Sequence, residues 1–561
     1  NSDRKTGFLP PSVASDNVSG LEIVTPYYVN LAPNYDVTLT PTLSSKRGVN
    51  LGTEFRYLNP TLSGTMNVDV MPSDKLRNND KRWGVNANHQ QYIPAGSTVG
   101  GLLLNVEFNR VSDNNYWRDF PRASGALTQR LLPTNVDLDW RRGSWSSGLK
   151  FSKWQTLQDP GAVISPPYDR LPHWYLNYDA VNVNSGFNLK ANTEITKFKS
   201  DPAITLQTNG TRAFNEIEVS RPFKSPAHFI TPKLKFHNSA YQFDTALKDG
   251  SKTAQVSVPT FSLDSGLIFD RSINMWGRDL IQTLEPRGFY VYTPFREQSL
   301  LPNYDSAARD FNFAALFTEN PYSGNSRIPD ANVFTYGLSS KFLDANNGAE
   351  LIRLGMAQRL RFEDQQVILP GNKVETERLS DMLFGATVNW DPRWSFETTQ
   401  QVSPSESRLN RGVLGVRYTP KDFHVVSAAY RYQRGVSEQT ELSWQWPMAD
   451  LFGARSDNSE AAVSSGRWFT LGRLNYSLTE NKMVDSILGF EYEAGCWVAR
   501  TVIENVSSSS ATSNRRILFQ LELVGFGSFG PGALKTLRNN IPRYQYLREQ
   551  VDTPNRFSNF E

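Results

Sequence analysis

The sequence predicts an all-β protein, folded as a large, closed, antiparallel transmembrane β-barrel. Apolar and polar residues alternate in segments of roughly 8–12 residues from about residue 21 to 525, and a tilted strand of ~9–11 residues crosses a bilayer. Helical periodicity is almost absent. Short turns such as 419–422 alternate with long polar stretches such as 302–332. About 20 residues per strand and connection give roughly two dozen strands.

The alternating segments have one apolar face and one unusually polar face. In LLLNVEFN, residues 102–109, Leu104 and Phe108 share a face, and Asn105 and Glu107 lie opposite. The same period of two recurs in further segments: 353–363, 426–433, 486–493 and 517–524. In a barrel, such strands place the apolar face toward lipid and the polar face toward the lumen.

The composition excludes several classes of protein. The chain has 561 residues and a formal net charge of +3, too small to indicate a nucleic-acid partner. No stretch reaches the roughly 18 apolar residues of a membrane-spanning helix. Average hydropathy alone would suggest a soluble protein, but alternating strands do not raise the hydropathy of any window.

No sequence motif predicts catalysis or a bound cofactor. The five histidines have no metal-binding spacing: His89, His173, His228, His237 and His424. GFGSFG at 525–530 fits a dinucleotide-binding pattern and follows a strand, but that fold also needs a second parallel strand and a later acidic residue. We therefore predict no catalytic residue, cofactor or metal, and glycines that end a strand.

Acidic residues allow two weaker interpretations. Glu491 and Glu493 lie two apart on a strand, so they share a face and could perform acid–base chemistry, although a polar lumen lining is the simpler role. Asp and Asn clusters in the long loops could hold calcium, yet none has the spacing of a calcium loop.

The segment TPYYVNLAPNYDVTLTP, residues 25–41, carries three prolines in what reads as two strands. Pro33 fits a turn. Pro26 and Pro41 lie within the extended runs, where each lacks the donor that a sheet requires. The residues alone favour a strand end or bulge over deliberately weak pairing.

Several longer motifs occur in order along the chain: RKTGFLPP (4–11), TPYYVNLAPNYDVTLTP (25–41), RGVNLGTEFRYL (47–58), MPSDK (71–75), VSDNNYWRDF (111–120), LEPRGFYVYTP (284–294) and NPYSGNSRIPDANVFTYGLSS (320–340). Over about residues 4–525 the chain resembles the C-terminal barrel of the LptD family, the lipopolysaccharide-assembly translocon of Gram-negative outer membranes. The resemblance implies a barrel of 26 strands.

The resemblance also implies an organisation and a set of partners. Residues 1–20 would be the end of a periplasmic jellyroll, with its final strand near 4–8, and a linker; residues 21–527 the barrel; and 528–561 a tail outside the wall. The LptE lipoprotein would plug the barrel. Lipopolysaccharide would arrive over a periplasmic Lpt bridge through the N-terminal domain, pass its sugars through the lumen and leave sideways into outer-membrane lipid.

The resemblance assigns a lateral gate to the first and last strands. Pro26 and Pro41 match the two gate prolines of the family, on its first and second strands, and 21–31 would pair weakly with 516–525. The predicted gate residues are Pro26, Tyr27, Tyr28, Pro33, Pro41, Leu518, Gln520 and Glu522.

Cys496 is the single cysteine, and by itself it is most simply an inert thiol. The family has adjacent cysteines here that bond to the N-terminal domain, whereas this chain has Gly495 at the first position. The resemblance therefore implies a free thiol in this chain and an interdomain disulfide in the full protein.

Two other classes remain as alternatives. A passive porin or a plugged nutrient receptor shares the barrel, but a receptor needs a plug of well over a hundred residues before its first strand. A soluble all-β carbohydrate enzyme shares the alternation and would dissolve without detergent.

Overall fold

The computed structural model describes residues 5–96, 100–120, 129–161, 163–183, 185–451, 466–507, 513–523, 527–529 and 532–547. Of residues 506, 507, 513, 514 and 527–529 it describes the backbone alone. Within this part of the chain, 31 strand segments join one antiparallel sheet.

The strands of the N-terminal half follow one another along the chain as antiparallel hairpins. They are β1 (Gly7–Phe8), β2 (Ser12–Asp16), β3 (Gly20–Val24), β4 (Tyr27–Ala32), β5 (Tyr35–Ser44), β6 (Gly48–Leu58), β7 (Leu62–Asp74), β8 (Asp80–Pro94), β9 (Gly101–Val111), β10 (Leu131–Arg142), β11 (Trp145–Thr156), β12 (Asp169–Val183), β13 (Phe187–Lys199), β14 (Gly210–Ser220), β15 (Phe223–Lys224), β16 (His228–Phe243), β17 (Thr253–Leu267), β18 (Phe269–Met275) and β19 (Arg278–Thr293).

The C-terminal half continues the same meander after a long connection. That connection contains a separate small sheet of β20 (Ala307–Ala308) and β21 (Tyr322–Ser323). The later strands are β22 (Ala331–Asp344), β23 (Glu350–Arg361), β24 (Met382–Val388), β25 (Trp394–Ser403), β26 (Arg408–Tyr418), β27 (Val425–Gln433), β28 (Ser437–Pro447), β29 (Arg467–Ser477), β30 (Lys482–Glu493), β31 (Trp497–Ser507), β32 (Ser513–Leu523) and β33 (Gly527–Phe529).

Helices are short in the described residues. They comprise a 3₁₀ turn at Lys75–Arg77, α1 (Tyr116–Asp119), α2 (Pro202–Thr205), α3 (Phe313–Leu316), α4 (Met448–Leu451) and α5 (Ala533–Asn540). None of these helices is long and apolar enough to cross a membrane.

The sheet closes into a barrel of 26 antiparallel strands, which confirms the predicted fold class. Four wall strands are each interrupted once and therefore consist of two segments. These pairs of segments are β1 and β2, β3 and β4, β14 and β15, and β17 and β18. β33 is a short addition beside β32. The sheet therefore begins at Gly7, and residues 7–16 belong to the wall, whereas the sequence analysis placed the start of the barrel at residue 21.

Antiparallel pairing gives the barrel two unlike ends. We call the end where the first wall strand begins the near end, and the opposite end the far end. Near-end connections are mostly tight turns, such as 143–144, where Gly143 adopts a positive φ of 55°. Far-end connections include the long stretches 112–130, 294–330 and 362–381. The predicted division into short turns and long loops is confirmed, with the near-end connection 448–466 as an exception.

The inner face of the wall is polar across β8, β9 and β10, as the alternation predicts. Asn86 of β8 is buried and donates to the side-chain oxygen of Asn109 on β9 over 2.6 Å. Asn135 of β10 donates to Glu107 of β9 over 2.9 Å. Neighbouring inward side chains thus satisfy one another across the strands, which a polar lumen lining requires.

The far-end connection 294–330, which we call the roof loop, folds into the lumen. Arg212 of β14 donates to both carboxylate oxygens of Asp305 over 2.9 and 2.7 Å, and both side chains are almost fully buried. Glu319 accepts a hydrogen bond from Ser262 of β17 over 2.8 Å. The roof loop is therefore anchored to the inner wall by buried charged groups.

Candidate functional site: the closure seam

The wall closes where β2 meets β32, a junction that we call the closure seam. Asn17 extends the seam by one bond, since its N–H donates to the carbonyl of Arg515 over 3.3 Å. By contrast, eleven residue pairs join β31 to β32. The seam itself has three pairs: Ala14 with Leu518, Ser15 with Ile517, and Asp16 with Arg516.

Toward the near end, the two sides of the seam do not pair with each other. Pro10 and Pro11 separate β1 from β2 and have no N–H to donate. On the other side, Leu521–Leu523 of β32 pair antiparallel with β33 instead of with the first wall strand. The first and last wall strands therefore meet only in the far-end half of β32.

Pro26 and Pro41 lie on the second and third wall strands, and the prediction that they lie on the first and second is wrong. It took 21–31 as the first strand, but the pairing partner of β32 is β2. The error arose because the five residues of β2 follow two prolines and show too short an alternation to be recognised.

Both prolines nevertheless shorten the hydrogen-bond ladder beside the seam. The carbonyl of Pro26 accepts from the N–H of Leu9 over 2.9 Å, and the carbonyl of Pro41 accepts from the N–H of Thr25 over 3.1 Å. In antiparallel strands the N–H and C=O of one residue point to the same neighbour. Each proline therefore lacks the bond that would return to Leu9 or Thr25.

Three other predicted gate residues lie on the second wall strand or its turn. Tyr27 packs edge-on against Phe8, with ring centroids 4.8 Å apart. Tyr28 points inward, and its hydroxyl donates to Asp36 over 3.3 Å. Pro33 lies in the near-end turn between β4 and β5, as the turn pattern predicts. These residues flank the seam without forming it, and their role in a gate stays a prediction.

Leu518, Gln520 and Glu522 of β32 point into the lumen. Leu518 and Gln520 are 1% and 5% exposed, whereas Ile517 and Phe519 between and beside them are 50% and 54% exposed on the outer face. Gln520 accepts from the N–H of residue 534 over 2.9 Å, and Glu522 accepts from Arg500 over 2.5 Å. The last wall strand thus presents polar anchors to the lumen.

The C-terminal segment lies inside the barrel, although the sequence analysis placed the tail outside the wall. Leu534 and Leu537 of α5 are buried in one cluster with Leu518 of the seam. Gln545 exchanges two hydrogen bonds with Gln445 of β28, over 2.9 and 2.8 Å. Residues 533–547 therefore cover the inner faces of the last wall strands.

The paired carboxylates that could suggest catalysis are engaged in ion pairs. Glu491 accepts from Arg500 over 2.7 Å and from Tyr544 over 2.6 Å, and Glu493 pairs with Arg467 over 2.6 Å. In the described ranges, no group of three or more His, Cys, Asp or Glu side chains is placed to hold a metal ion. These arrangements fit a polar lining.

A second ionic cluster lies at the far end of β7 and β8. Arg82 is buried and pairs with Asp74, Asp113 and Asp119 over 2.7–2.9 Å. Burial raises the pKa of Asp119, but hydrogen bonds from Arg77 and Arg82 outweigh burial and hold that pKa below its ordinary value. The opposite charges compensate one another, so the cluster is a structural tie between far-end loops.

Comparison with known proteins identifies the family. The model of the LptD family, described as LPS transport system D, matches residues 80–456. The chain is 51% identical to the LPS-assembly protein LptD of Albidiferax ferrireducens, covering 100% of this chain and 71% of that protein. It is 50% identical to the protein of the same name from Polaromonas sp. JS666, covering 100% and 69%. This chain belongs to the LptD family.

Solved structures also match, and one of them is a siderophore receptor. The siderophore receptor PirA from Pseudomonas aeruginosa covers 94% of this chain and 81% of its own, at 9% identity. Its TM-score of 0.27 is too low to inform either fold or function.

In this LptD-family barrel, Cys496 lies in the near-end turn between β30 and β31 and is exposed as a free thiol. Gly495 precedes it with a positive φ of 67°. The first wall strand also begins at the near end, so a segment preceding Gly7 enters the barrel on the side where this thiol is exposed. The predicted interdomain disulfide stays a prediction.

The residues beside the seam that the alternation does not reveal are those of the C-terminal segment. Its signal is the spacing of the apolar residues Leu534, Leu537, Ile541 and Tyr544, which recur every three or four positions. This spacing is typical of a helix with one buried face. A period of two shows only that the strand pattern ends before this segment, and it does not reveal the buried face.

Proposed function

We propose that this LptD-family barrel inserts lipopolysaccharide into the outer leaflet of the Gram-negative outer membrane. Support comes from the family, whose members are transport and assembly proteins, and from relatives named LPS-assembly proteins. No catalytic step belongs to this proposal. The single observation that carries it is a membrane-sized barrel whose wall closes over three residue pairs.

Lipopolysaccharide leaves the barrel through the closure seam, with its sugars in the lumen and its acyl chains in lipid. An amphiphile of this kind needs a wall that opens sideways, because passage along the lumen alone would strand its acyl chains in water. Each hydrogen bond contributes about 0.5–1.5 kcal/mol net, and more where no water replaces it. A seam of three pairs therefore opens at a smaller cost than the other junctions of the wall, which have six pairs or more.

The partners follow from the family resemblance. The LptE lipoprotein occupies the lumen as a plug, and lipopolysaccharide arrives over a periplasmic Lpt bridge through a domain that precedes this chain. Because Gly7 and Cys496 lie at the near end, we place that end in the periplasm and the long loops at the cell surface. The wall then begins on the periplasmic side, at Gly7.

A cross-link across the seam tests the proposal. Ala14 and Leu518 are directly opposite each other, so Ala14→Cys with Leu518→Cys places two thiols at a closely spaced pair. In the full protein, oxidation of this pair is expected to stop the arrival of lipopolysaccharide at the cell surface. The control pair is Val106→Cys with Val136→Cys, opposite each other on β9 and β10.

Normal delivery by fully cross-linked protein would contradict exit through the seam. If the barrel is instead a passive porin or nutrient receptor, removing the protein affects a different process. In that case, depletion of the protein lowers solute uptake while lipopolysaccharide at the surface is unchanged.

A further inference from the structure

The inner wall beside the seam carries an apolar patch. Buried side chains of the last four wall strands and of β2 form one patch there: Phe469, Leu471, Ile487, Val498, Val502, Leu518 and Ala14. An apolar surface facing an aqueous lumen is unfavourable unless something covers it. Here it is covered by the C-terminal segment, through Ala533, Leu534, Leu537, Ile541, Tyr544 and Leu547.

The covered patch contains residues from both sides of the closure seam. Ala14 belongs to the first wall strand and Leu518 to the last, and the two are directly opposite each other. Both are buried in the same cluster as Leu537 of α5, with 3% exposure for Ala14 and 1% for Leu518. The C-terminal segment therefore holds the two sides together by burial at the point where their backbone ladder is short.

Polar contacts fix the segment at both of its ends. At the start of α5, the N–H of Leu534 donates to Gln520 of β32 over 2.9 Å. Past its end, the hydroxyl of Tyr544 donates to Glu491 of β30 over 2.6 Å. Glu491 is fully buried and also accepts from Arg500, which reaches Glu522 of β32. The wall contacts named here are noncovalent, so the segment is held firmly yet can be released.

We propose that residues 533–547 are a releasable clamp, which holds the seam shut from the lumen side and must leave the apolar patch before lipopolysaccharide can pass. This inference rests on the proposed function of the seam as the exit. A molecule that moves from the lumen into lipid between β2 and β32 crosses the inner faces of Ala14 and Leu518, which the clamp covers.

Locking the clamp is the first test. A side chain at Gly489 of β30 would bring its Cβ to 3.0 Å from the Cδ2 atom of Leu537, so Gly489→Cys with Leu537→Cys is suited to a disulfide or a short bifunctional linker. In the full protein, the cross-linked pair is expected to lower lipopolysaccharide delivery by at least about tenfold. The two single-cysteine variants, treated identically, are the controls. Delivery within about twofold of these controls would overturn the clamp.

Releasing the clamp is the second test, and it needs no lipopolysaccharide. Leu537→Glu puts a charge into the patch, whereas Asn539→Glu puts the same charge on the exposed side of the same helix. The readout is the rate at which cysteines at positions 14 and 518 cross-link. We expect the rate to fall at least about threefold with Leu537→Glu and to be unchanged with Asn539→Glu. Equal rates in the two variants would overturn the proposal.

A milder variant covers the case in which Leu537→Glu does not fold. Tyr544→Phe removes one hydrogen bond to Glu491 and keeps the ring. It is expected to slow the same cross-link by a smaller factor, and no change would count against the clamp. The two proposals can fail separately. If the clamp variants change the cross-linking rate but the cross-linked seam still delivers lipopolysaccharide, the clamp holds the seam shut and the seam is not the exit.

Discussion

Two regions of the wall carry prolines on three successive strands, yet they differ in how extensively their strands pair. Beside the closure seam, Pro10 and Pro26 lie at interruptions of the first two wall strands, and Pro41 lies within the third. In the opposite wall, Pro232, Pro259 and Pro286 lie within β16, β17 and β19. The opposite wall pairs β16 with β17 over fifteen residues, and the seam pairs over three. A proline therefore weakens a wall appreciably only where the ladder around it is already short.

The two regions are also covered differently. The opposite wall is tied to the roof loop by ion pairs, with Lys233 and Lys235 of β16 around Glu319. The seam has only short connections at its far end, such as 17–19 and 478–481, and it is covered from within by the C-terminal clamp. Separating a buried ion pair leaves an uncompensated charge, whereas uncovering an apolar patch exposes only its apolar area to water.

The largest expected effect comes from breaking the roof anchor. Arg212→Ala leaves the carboxylate of Asp305 buried without its partner, which costs about 3–5 kcal/mol for a pair of this burial. We expect the barrel to unfold at a clearly lower temperature in detergent, measured as the loss of its heat-modifiable gel shift. Arg353→Ala breaks the exposed pair with Glu350 and is the control, with an effect below about 0.5 kcal/mol. Equal shifts for both variants would show that the roof loop does not brace the wall.

A smaller effect is expected when donors are restored beside the seam. Pro26→Ala with Pro41→Ala supplies N–H groups toward Leu9 and Thr25, each contributing about 0.5–1.5 kcal/mol. Lipopolysaccharide delivery should slow severalfold, because firmer pairing among the first three wall strands opposes the movement of β2 away from β32.

The opposite wall supplies the matched control for this experiment. Pro232→Ala with Pro286→Ala makes the same chemical change in strands that pair extensively, and delivery should be unaffected. Equal delivery by both double variants would show that prolines beside the seam affect export no more than prolines in the opposite wall.

Acid should weaken the roof anchor in a defined pH range. Burial raises the pKa of Asp305, but the charge and hydrogen bonds of Arg212 outweigh burial and hold that pKa below its usual range. A carboxyl with a lowered pKa stabilises the fold above its unfolded value of about 3.9 and loses that contribution as the pH falls further. The difference in unfolding temperature between the natural protein and Asp305→Asn should be constant from about pH 7 to 5 and shrink below about pH 4. A difference that persists undiminished at about pH 3 would contradict the assignment.

The smallest effect concerns Cys496. Its side chain is exposed in a turn, so Cys496→Ser should change the free energy of unfolding of this barrel by less than about 0.5 kcal/mol. In the full protein, the predicted interdomain disulfide should block the thiol from a maleimide reagent until reductant is added. Labelling that is equal before and after reduction would assign the inert role to this thiol.

The wall could be predicted from the sequence because it depends on local pattern. The alternation in 102–109 or 517–524 specifies a strand and its two faces, and the order of short and long connections specifies the two ends. β2 was missed because SVASD is short, follows Pro10 and Pro11, and carries only one large apolar residue. A one-strand error at the start then moved the predicted seam by one strand.

The lumen contents could not be predicted in the same way. The positions of Asp305 and Leu537 depend on contacts with strands far away in the chain, and no local period encodes such contacts. The alternation of β30 and β31 does contain an anomaly, because Ile487 and Val502 lie on the face that is polar in strands such as β8 and β9. Apolar residues on a lumen face indicate that another part of the chain covers them.

The seam also determines when the barrel can finish folding. Asn17 and Arg515, which bond to each other beside it, are 498 positions apart in the chain. Contacts between such distant residues form late because closing a long loop has an entropic cost that few early contacts offset. The closure seam, which opens in the proposed function, is thus the junction that forms last in folding. Each round of export would partly undo and repeat the final step of the protein's own biogenesis.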